Sequence, residues 1–465
     1  MAKPQDPDVL ALLDRLGRVL PPAALLTGDA VAPRYQEDRR DRFSAPPRFV
    51  MRPGSTAEVA AALAACNAFG QPLVVQGGRT GLSGAHRVRP GEAVLSTERL
   101  TELAAPDPDS RTLLAGAGVP LQRVQEAADQ AGLIFGVDIG ARGTATIGGN
   151  IATNAGGIRV LRYGMFRAQV AGLEAVLADG SVLACMRGLD KDNSGYDLNQ
   201  LFIGSEGTLA VVTRALLRLH PRPAVETNAL LALPSVEAAL DLLWRLRKSV
   251  GGMLSAYEIM LDTIYRGVAG HLGMAPPLAT PAPIYVLAEI QSETAGEAAP
   301  AAFMDCLAAA LEDGVALDAV IAQSQREFLT LWELRDACAD YLRGQDNIAN
   351  GDISVPVPRI AEFLNESRRV LAQIDPEARF LIFGHLADGN LHYVFQTGCK
   401  DRAVDCLMRL VAAYGGSISA EHGIGIDKKP WLPLARSPAE IAAMQALKGA
   451  LDPRGILNRG RIFAD

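Results

Sequence analysis

Long apolar runs are missing from this chain. No stretch is long and apolar enough to span a bilayer, and the N-terminal segment MAKPQDPDVLALLDRLGRVL carries acids early rather than the basic-then-apolar shape of a secretory leader. A soluble, cytoplasmic protein is the expectation. Excess positive charge is missing too. Lys and Arg number 45 against 52 Asp and Glu, for a net charge of −7, and no basic patch stands out to grip phosphates. That argues against a nucleic-acid role. The 6 cysteines, Cys66, Cys185, Cys306, Cys338, Cys399 and Cys406, are scattered with no C-x-x-C pair. A zinc ribbon, an iron–sulfur cluster and a disulfide framework are all disfavoured, and a reducing compartment fits. The dinucleotide fingerprint G-x-G-x-x-G is absent, since Gly116-Ala-Gly118 and Gly423-Ile-Gly425 lack the third glycine. No Gly-Lys-Ser/Thr follows a glycine loop either, so NAD and nucleoside triphosphates are poor candidates.

What is present is ordinary globular composition, with 49% hydrophobic and 21% charged residues in 465 positions. That length predicts two or three units. Residues 7–28 read as a short amphipathic helix pair, and the Pro/Arg-rich stretch from Arg42 to Pro53 as the entry to the first true domain. Ser55-Thr-Ala-Glu58 has capping form and predicts a helix through Phe69. Pro72–Val75 reads as a strand that ends in Gly77-Gly-Arg-Thr-Gly81-Leu-Ser-Gly84. Glycine dominates residues 132–164. Val170–Leu177 and Ser181–Ala184 read as strands joined at Ala178-Asp-Gly180 like a hairpin. Pro221–Pro223 marks a boundary. Beyond it, Ala/Leu-rich helices alternate with strands such as Ile284–Ile290, which predicts an α+β domain with helices on one sheet face. The turn-rich segment Leu451–Asn458 is expected to return to the first domain. The divisions are then 1–45, a helical segment; 46–224, a cofactor domain; 225–430, a substrate domain; and 431–465, a C-terminal segment.

Backbone approaches a phosphate closely only where no side chain intervenes, and successive N–H groups form an anion-binding concavity. Gly77–Gly84 follows a strand and adds the hydroxyls of Thr80 and Ser83, which suits a pyrophosphate. The second glycine segment, 140–157, sets Thr146, Asn150, Thr153 and Asn154 among glycines. A large planar polar ring needs both close backbone and amide partners, and an isoalloxazine fits.

The chain has only 6 histidines, and half of them fall near the C-terminus. In Gly384-His385-Leu-Ala-Asp388-Gly389-Asn390-Leu-His392, Asp-Gly reads as a two-residue hairpin turn. Ala387 then pairs with Asn390, and His385 lies directly opposite His392, with Cβ atoms roughly 4.5–5.5 Å apart. Two imidazoles at that spacing reach one metal ion. Glu421, in Ser419-Ala-Glu421-His422-Gly423, is the candidate third ligand. Neighbours in extended chain point to opposite sides, so with Glu421 on the metal His422 is expected to address the substrate from another direction. His₂Glu with an open position is the composition of a catalytic zinc site, although imidazole also suits iron or nickel, and carboxylate suits manganese.

Pro72–Gly84, Ile147–Gly157, Tyr163-Gly164, Gly195-Tyr-Asp-Leu198 and Phe202–Thr208 resemble the FAD-binding domain of the vanillyl-alcohol oxidase superfamily. The motifs around His385, His392 and Glu421-His422 resemble its D-2-hydroxyacid dehydrogenase branch, which includes D-lactate dehydrogenases, the glycolate oxidase flavin subunit and D-2-hydroxyglutarate dehydrogenase. The resemblance covers residues 46–465. It implies an α+β fold: a two-subdomain FAD-binding domain, an α+β substrate (cap) domain, and a C-terminal segment returning to the flavin. It implies that Gln76, Gly77, Gly78, Arg79, Thr80, Gly81, Leu82 and Ser83 hold the FAD pyrophosphate. Asp138, Gly140, Thr146, Gly148, Gly149, Asn150, Ala152, Thr153, Asn154 and Gly156 are implied to lie along the flavin, with Glu206, Gly207, Val212 and Asn458 completing the site. Some relatives attach FAD through a histidine in the first loop. Here the loop carries Arg79 and no histidine before His86, so non-covalent FAD is expected.

The reaction these parts imply is oxidation of a D-2-hydroxy acid. A divalent metal, expected to be zinc although the ligand types do not settle it, is held by His385, His392 and Glu421; His422 is the base, and Arg335 forks onto the substrate carboxylate. Four positions depart from the family pattern. Ala387 stands where glycine is common. Ala339, Asn350 and Val394 stand where the 2-hydroxyglutarate branch carries threonine, lysine and asparagine. Burying a distal carboxylate without those partners is costly, so a small or apolar D-2-hydroxy acid of the D-lactate type is expected. The alternatives are a D-2-hydroxyglutarate dehydrogenase and a flavin subunit of a glycolate-oxidase-type electron-transfer complex. The expected partners are the 2-hydroxy acid, an electron acceptor (flavoprotein, quinone or cytochrome) and a second copy of the chain as a homodimer.

Overall fold

The structure is a computed structural model, and it describes residues 7–38 and 43–463. Arg42, at the expected entry to the first domain, lies outside the described residues. Among them no helix is long and apolar enough to cross a membrane. The chain divides into two compact units. The first takes in residues up to Gly156, then Met165–His220 and the stretch from His422 onward; the second comprises Gly157–Gly164 and Pro221–Glu421.

The first unit holds two sheets of four strands. In one, Val50–Met51, Ala93–Ser96 and Leu73–Gln76 run parallel, with Leu25–Leu26 antiparallel at the edge. Ala93–Ser96 is buried throughout, as parallel strands covered on both sides are. Helix Thr56–Phe69 begins where the sequence predicts. Ser55 caps it by accepting the Glu58 backbone N–H, and Gly70 ends it at φ 64°. The predicted N-terminal helix pair is corrected to one helix, Pro7–Val19, followed by a 3₁₀ turn, Pro22–Ala24. Pro21 and Pro22 explain this: neither donates a backbone N–H, and each biases its predecessor away from helix.

The other sheet of this unit is antiparallel, in the order Thr112–Gly116, Val211–Arg218, Val170–Val176 and Val182–Cys185. The Ala178-Asp-Gly180 bend joins its last two strands as predicted, with Val176 opposite Val182. Leu113, Val124, Ile147, Ile151, Phe166 and Leu217 make its buried core. The C-terminal segment returns to the first sheet, as expected: Leu457 bridges Leu73, and the Leu73 and Asn458 backbone N–H groups are both bonded across that edge.

The second unit is built on one antiparallel sheet. Its order is Asp318–Ile321, Val225–Leu233, Ile284–Ser292, Leu254–Leu261, Phe383–His385, Asn390–Gln396 and Ile348–Ser354, with Arg379–Phe380 also against Asn390–Gln396. Helices cover both faces, which corrects the one-faced expectation. Ala256 and Met260 share a core with Ile264, Leu331 and Trp332, from helices Asp262–His271 and Gln325–Asp336. Tyr257, one residue out of phase, donates its hydroxyl to the Ala239 carbonyl of helix Val236–Val250 on the other side. The reason is legible in retrospect: every residue of Leu254–Leu261 and of Ile284–Ser292 is buried, so neither sheet face is left for water.

Candidate functional site

In the first unit, strand Leu73–Gln76 delivers the chain into the Gly77–Gly84 loop, beside helix Ile147–Thr153. The glycines permit close approach: a Cβ on Gly78 would fall 1.9 Å from the Thr144 carbonyl oxygen, and one on Gly148 2.7 Å from the Ala117 Cβ. Between loop and helix lies a cleft lined by residues of both. Thr146 Oγ1 and Asn150 Nδ2 line it, buried and without a hydrogen-bond partner. Buried polar atoms are rarely left so, and these two await partners from a bound group.

Of the residues expected along the cofactor, Gly77, Gly78, Arg79, Thr80, Gly81, Thr146, Gly148, Gly149, Asn150, Ala152, Thr153, Glu206, Gly207, Val212 and Asn458 line this cleft. Gln76, Leu82, Ser83, Asp138, Gly140, Asn154 and Gly156 are not among its lining residues. Several of these are engaged in building the walls. Gln76 donates to the Tyr35 and His86 carbonyls, Ser83 to the Gly423 carbonyl, and Asp138 accepts from Arg142 and Gln125. Asn154 ends the helix at φ 50° and accepts the Arg167 backbone N–H. Val75, Ala85, His86, Thr97, Phe202, Ser205, Ala210 and Val211 also line the cleft, none of them named from sequence as a cofactor contact. Most are small or apolar and read as core, so no polar signal marked them.

Asn458 and Glu206 tie the cleft together. Asn458 accepts the Val75 N–H at 2.7 Å and donates to the Glu206 carbonyl at 2.6 Å. The Glu206 carboxylate accepts the Ile424 and Gly425 N–H groups at 2.7 and 2.8 Å. It thereby holds the turn that follows His422. Burial pushes its carboxyl up to about 7, against the pull of those two N–H groups.

In the second unit, His385, His392 and Glu421 each place one ligand atom within 4.8 Å of the others. The hairpin that carries the histidines differs from the prediction. Leu386–Asp388 forms a 3₁₀ turn, Gly389 sits at φ 86°, and Phe383, not His385, pairs with His392. The slip is two residues. Side chains alternate with period two, so the same face is kept, and the imidazole centroids lie 5.2 Å apart. Asp352 anchors the rest: it accepts the Asn390 side-chain N–H and the Glu421 backbone N–H, both at 3.0 Å. Glu421 in turn accepts the Gly157 N–H at 3.0 Å. Two imidazoles and a carboxylate, converging from a hairpin and a loop, are a donor set suited to a divalent cation.

One participant was invisible in the sequence. Glu258, on strand Leu254–Leu261, lies opposite His385 in the sheet and is fully buried. Its Oε1 is 2.6 Å from His385 Nδ1, and its Oε2 accepts the Arg335 Nε–H at 2.7 Å. Burial opposes its charge, but His385 and Arg335 together hold its carboxyl below the usual range. Burial likewise opposes a charge on His385, and Glu258 with Glu421 outweighs it, pushing the imidazole up to about 9. Arg335 comes from helix Gln325–Asp336 and is 6% exposed. Its guanidinium stacks 4.8 Å from the Phe383 ring, itself 4.8 Å from His392. Glu258 takes its Nε, and its Nη groups have no hydrogen-bond partner among the described residues.

Of the departures from the family pattern, Val394 is buried among Phe383, Trp332 and Cys338. Asn350 is paired with it across the strands, so the two share the His392 face. Ala339 is exposed on helix Cys338–Arg343. His422 directly follows Glu421 and opens the stretch that rejoins the first unit.

Two family models match the chain: the FAD binding domain over residues 47–186, and the C-terminal domain of FAD linked oxidases over residues 222–462. This chain belongs to the FAD-linked oxidases. The D-2-hydroxyglutarate dehydrogenase of Xanthomonas citri pv. viticola is 40% identical to this FAD-linked oxidase over 98% of the chain and 97% of its own length. The mitochondrial D-2-hydroxyglutarate dehydrogenase of Bos taurus is 37% identical over 88% of the chain and 76% of its own length. A mitochondrial protein of Schizosaccharomyces pombe named as a candidate D-lactate dehydrogenase is 33% identical over 96% and 86%. Among solved structures, p-cresol methylhydroxylase superposes with a TM-score of 0.77 at 15% identity, covering 98% of this FAD-linked oxidase and 97% of that chain. At that identity the likeness shows the fold alone, which is of the vanillyl-alcohol oxidase type.

Proposed function

We propose that the chain is a D-2-hydroxyacid dehydrogenase that oxidises a small or apolar substrate of the D-lactate type to the 2-oxo acid. The convergence of His385, His392 and Glu421, with Arg335 held beside them through Glu258, carries this reading. The cation these residues would hold is zinc. When bound, the flavin supplies a hydride acceptor and the cation supplies positive charge against the hydroxyl and carboxylate oxygens. Arg335 presents its Nη groups to the substrate carboxylate and fixes its orientation. His422 takes the hydroxyl proton on a ring nitrogen, the general-base role an imidazole can fill. Phe383 and Val394 give the site an apolar wall that keeps water from competing. FAD is held without a covalent bond, because the first glycine loop carries Arg79 where covalent relatives place histidine.

A panel of D- and L-2-hydroxy acids with an artificial electron acceptor, with and without chelator, tests the proposal. D-enantiomers are expected to bleach the flavin and chelation to stop turnover. Preference for L-enantiomers, or indifference to chelator, overturns it. Heat denaturation and filtration should release the flavin into the filtrate.

A second reading, D-2-hydroxyglutarate oxidation, has the names of the Xanthomonas and Bos relatives in its favour. The buried Val394 and the neutral Asn350 favour the smaller or more apolar substrate. The same panel separates them by kcat/KM for D-lactate against D-2-hydroxyglutarate.

A further inference from the structure

We propose that Glu258 is the positioning residue that joins the two halves of the second unit's site, setting the His385 tautomer for metal ligation and fixing the Arg335 guanidinium for the substrate carboxylate. The inference rests on the metal-assisted reading above. Its grounds are geometric. Glu258 and His385 face each other across paired strands, so the carboxylate reaches the imidazole without bending either backbone. Each of its oxygens has its own partner: Oε1 lies 2.6 Å from His385 Nδ1 and Oε2 2.7 Å from Arg335 Nε. An ionised carboxylate only accepts hydrogen bonds. The proton of a neutral His385 must therefore sit on Nδ1, which leaves the Nε2 lone pair bare. Nε2 is the atom on the Glu421 side, 3.7 Å from Oε1 of that carboxylate. A carboxylate behind a metal-bound imidazole orients the ring and strengthens its donor atom. Here the same carboxylate also anchors the arginine, so one buried charge orients both metal ligand and substrate anchor.

Glu258→Gln tests this, because an amide has one acceptor end and one donor end. With the NH₂ toward His385, Nδ1 must accept, the ring proton moves to Nε2, and the metal loses that ligand. With the NH₂ toward Arg335, donor faces donor and the guanidinium is displaced. Neither arrangement reproduces both functions. Zinc affinity is measured on the flavin-loaded full chain by competition with a chromogenic chelator, together with the flavin spectrum, the thermal midpoint and the KM for D-lactate. The expected result is a loss of zinc affinity of roughly 10- to 100-fold, or a comparable rise in KM, with the flavin spectrum unchanged. Glu258→Asp keeps the charge but withdraws the carboxylate by one methylene. It should fold even where Glu258→Gln does not, and should show a smaller loss of the same kind. Wild-type zinc affinity and KM in either folded variant overturn the proposal. Glu421→Ala separates the two readings. If wild type binds zinc, Glu421→Ala does not, and Glu258 variants match wild type, only the Glu258 inference fails. If wild type and Glu421→Ala both fail to bind zinc, the metal-assisted reading itself fails.

Discussion

The two units build their sites by opposite means. The cleft of the first unit is a backbone site, in which glycines let main chain crowd main chain, with Thr146, Asn150 and His86 each carrying a buried side-chain atom without a hydrogen-bond partner. The site of the second unit is a side-chain site. Its groups come from four separated stretches, Glu258, Arg335, the hairpin histidines and Glu421, and are fixed by charge-assisted hydrogen bonds. A backbone site advertises itself locally, as a run of glycine. A side-chain site is assembled by topology, and its supporting members leave no local trace.

Breaking each site should therefore have different symptoms. The largest effect belongs to the side-chain site: Glu421→Ala should lower kcat/KM on the order of 10³-fold, the worth of several kcal/mol of charge stabilisation, while flavin content stays that of wild type. Loss of flavin in this variant would show that the two sites are not separable. Gly78→Ala is the converse. The added Cβ would meet the Thr144 carbonyl, which is backbone and cannot swing aside. Overpacking of this kind costs about 1–3 kcal/mol, so FAD should bind about 10- to 100-fold more weakly, with zinc affinity untouched. Flavin titration of the apoprotein reads it directly.

Val394→Asn sharpens the side-chain site rather than breaking it. A polar group on the His392 face should raise the ratio of kcat/KM for D-2-hydroxyglutarate over D-lactate by about tenfold. An unchanged ratio would remove Val394 from the specificity argument. The smallest effect concerns the first unit's fold. Burial works against the Glu174 carboxylate, but hydrogen bonds from Arg214, Thr56 and Thr213 outweigh it and bring its pKa from the ordinary 4.5 to about 2. A carboxylate whose folded pKa is depressed contributes stability above its unfolded pKa. That contribution should fade as pH falls from about 4.5 towards about 2. Glu174→Gln should flatten this part of the denaturation-midpoint profile against pH, and a profile identical to wild type would remove Glu174 as its source.

The same contrast explains what could be read from sequence. Ser55 and Gly70 are local signals, and the helix between them lies where those signals put it. The glycine loops pointed to a cofactor cleft, but the helix Ile147–Thr153 inside the second one was not anticipated. Glycine disfavours helix, and only the approach of Gly148 to Ala117 explains its use. His385 and His392 were paired correctly by face and wrongly by register. Period-two alternation records the face, while the turn geometry that sets register lay in a 3₁₀ turn that Asp-Gly did not reveal. Two-sided burial of the second sheet was missed because helices beyond the strand decide it. Glu258 was missed for a deeper reason. Within Tyr257-Glu258-Ile259 it is one acid among apolar neighbours, and its meaning appears only when His385 and Arg335 arrive from elsewhere in the chain.

The bridge that Asn458 makes to Val75 spans 383 positions of sequence. Synthesis runs from one end to the other, so the strand that opens the flavin cleft is made early and its last fastening late. Between them the ribosome must deliver the whole of the second unit. The first unit's sheet thus cannot be completed until the chain through Asn458 has been made, after the whole of the second unit.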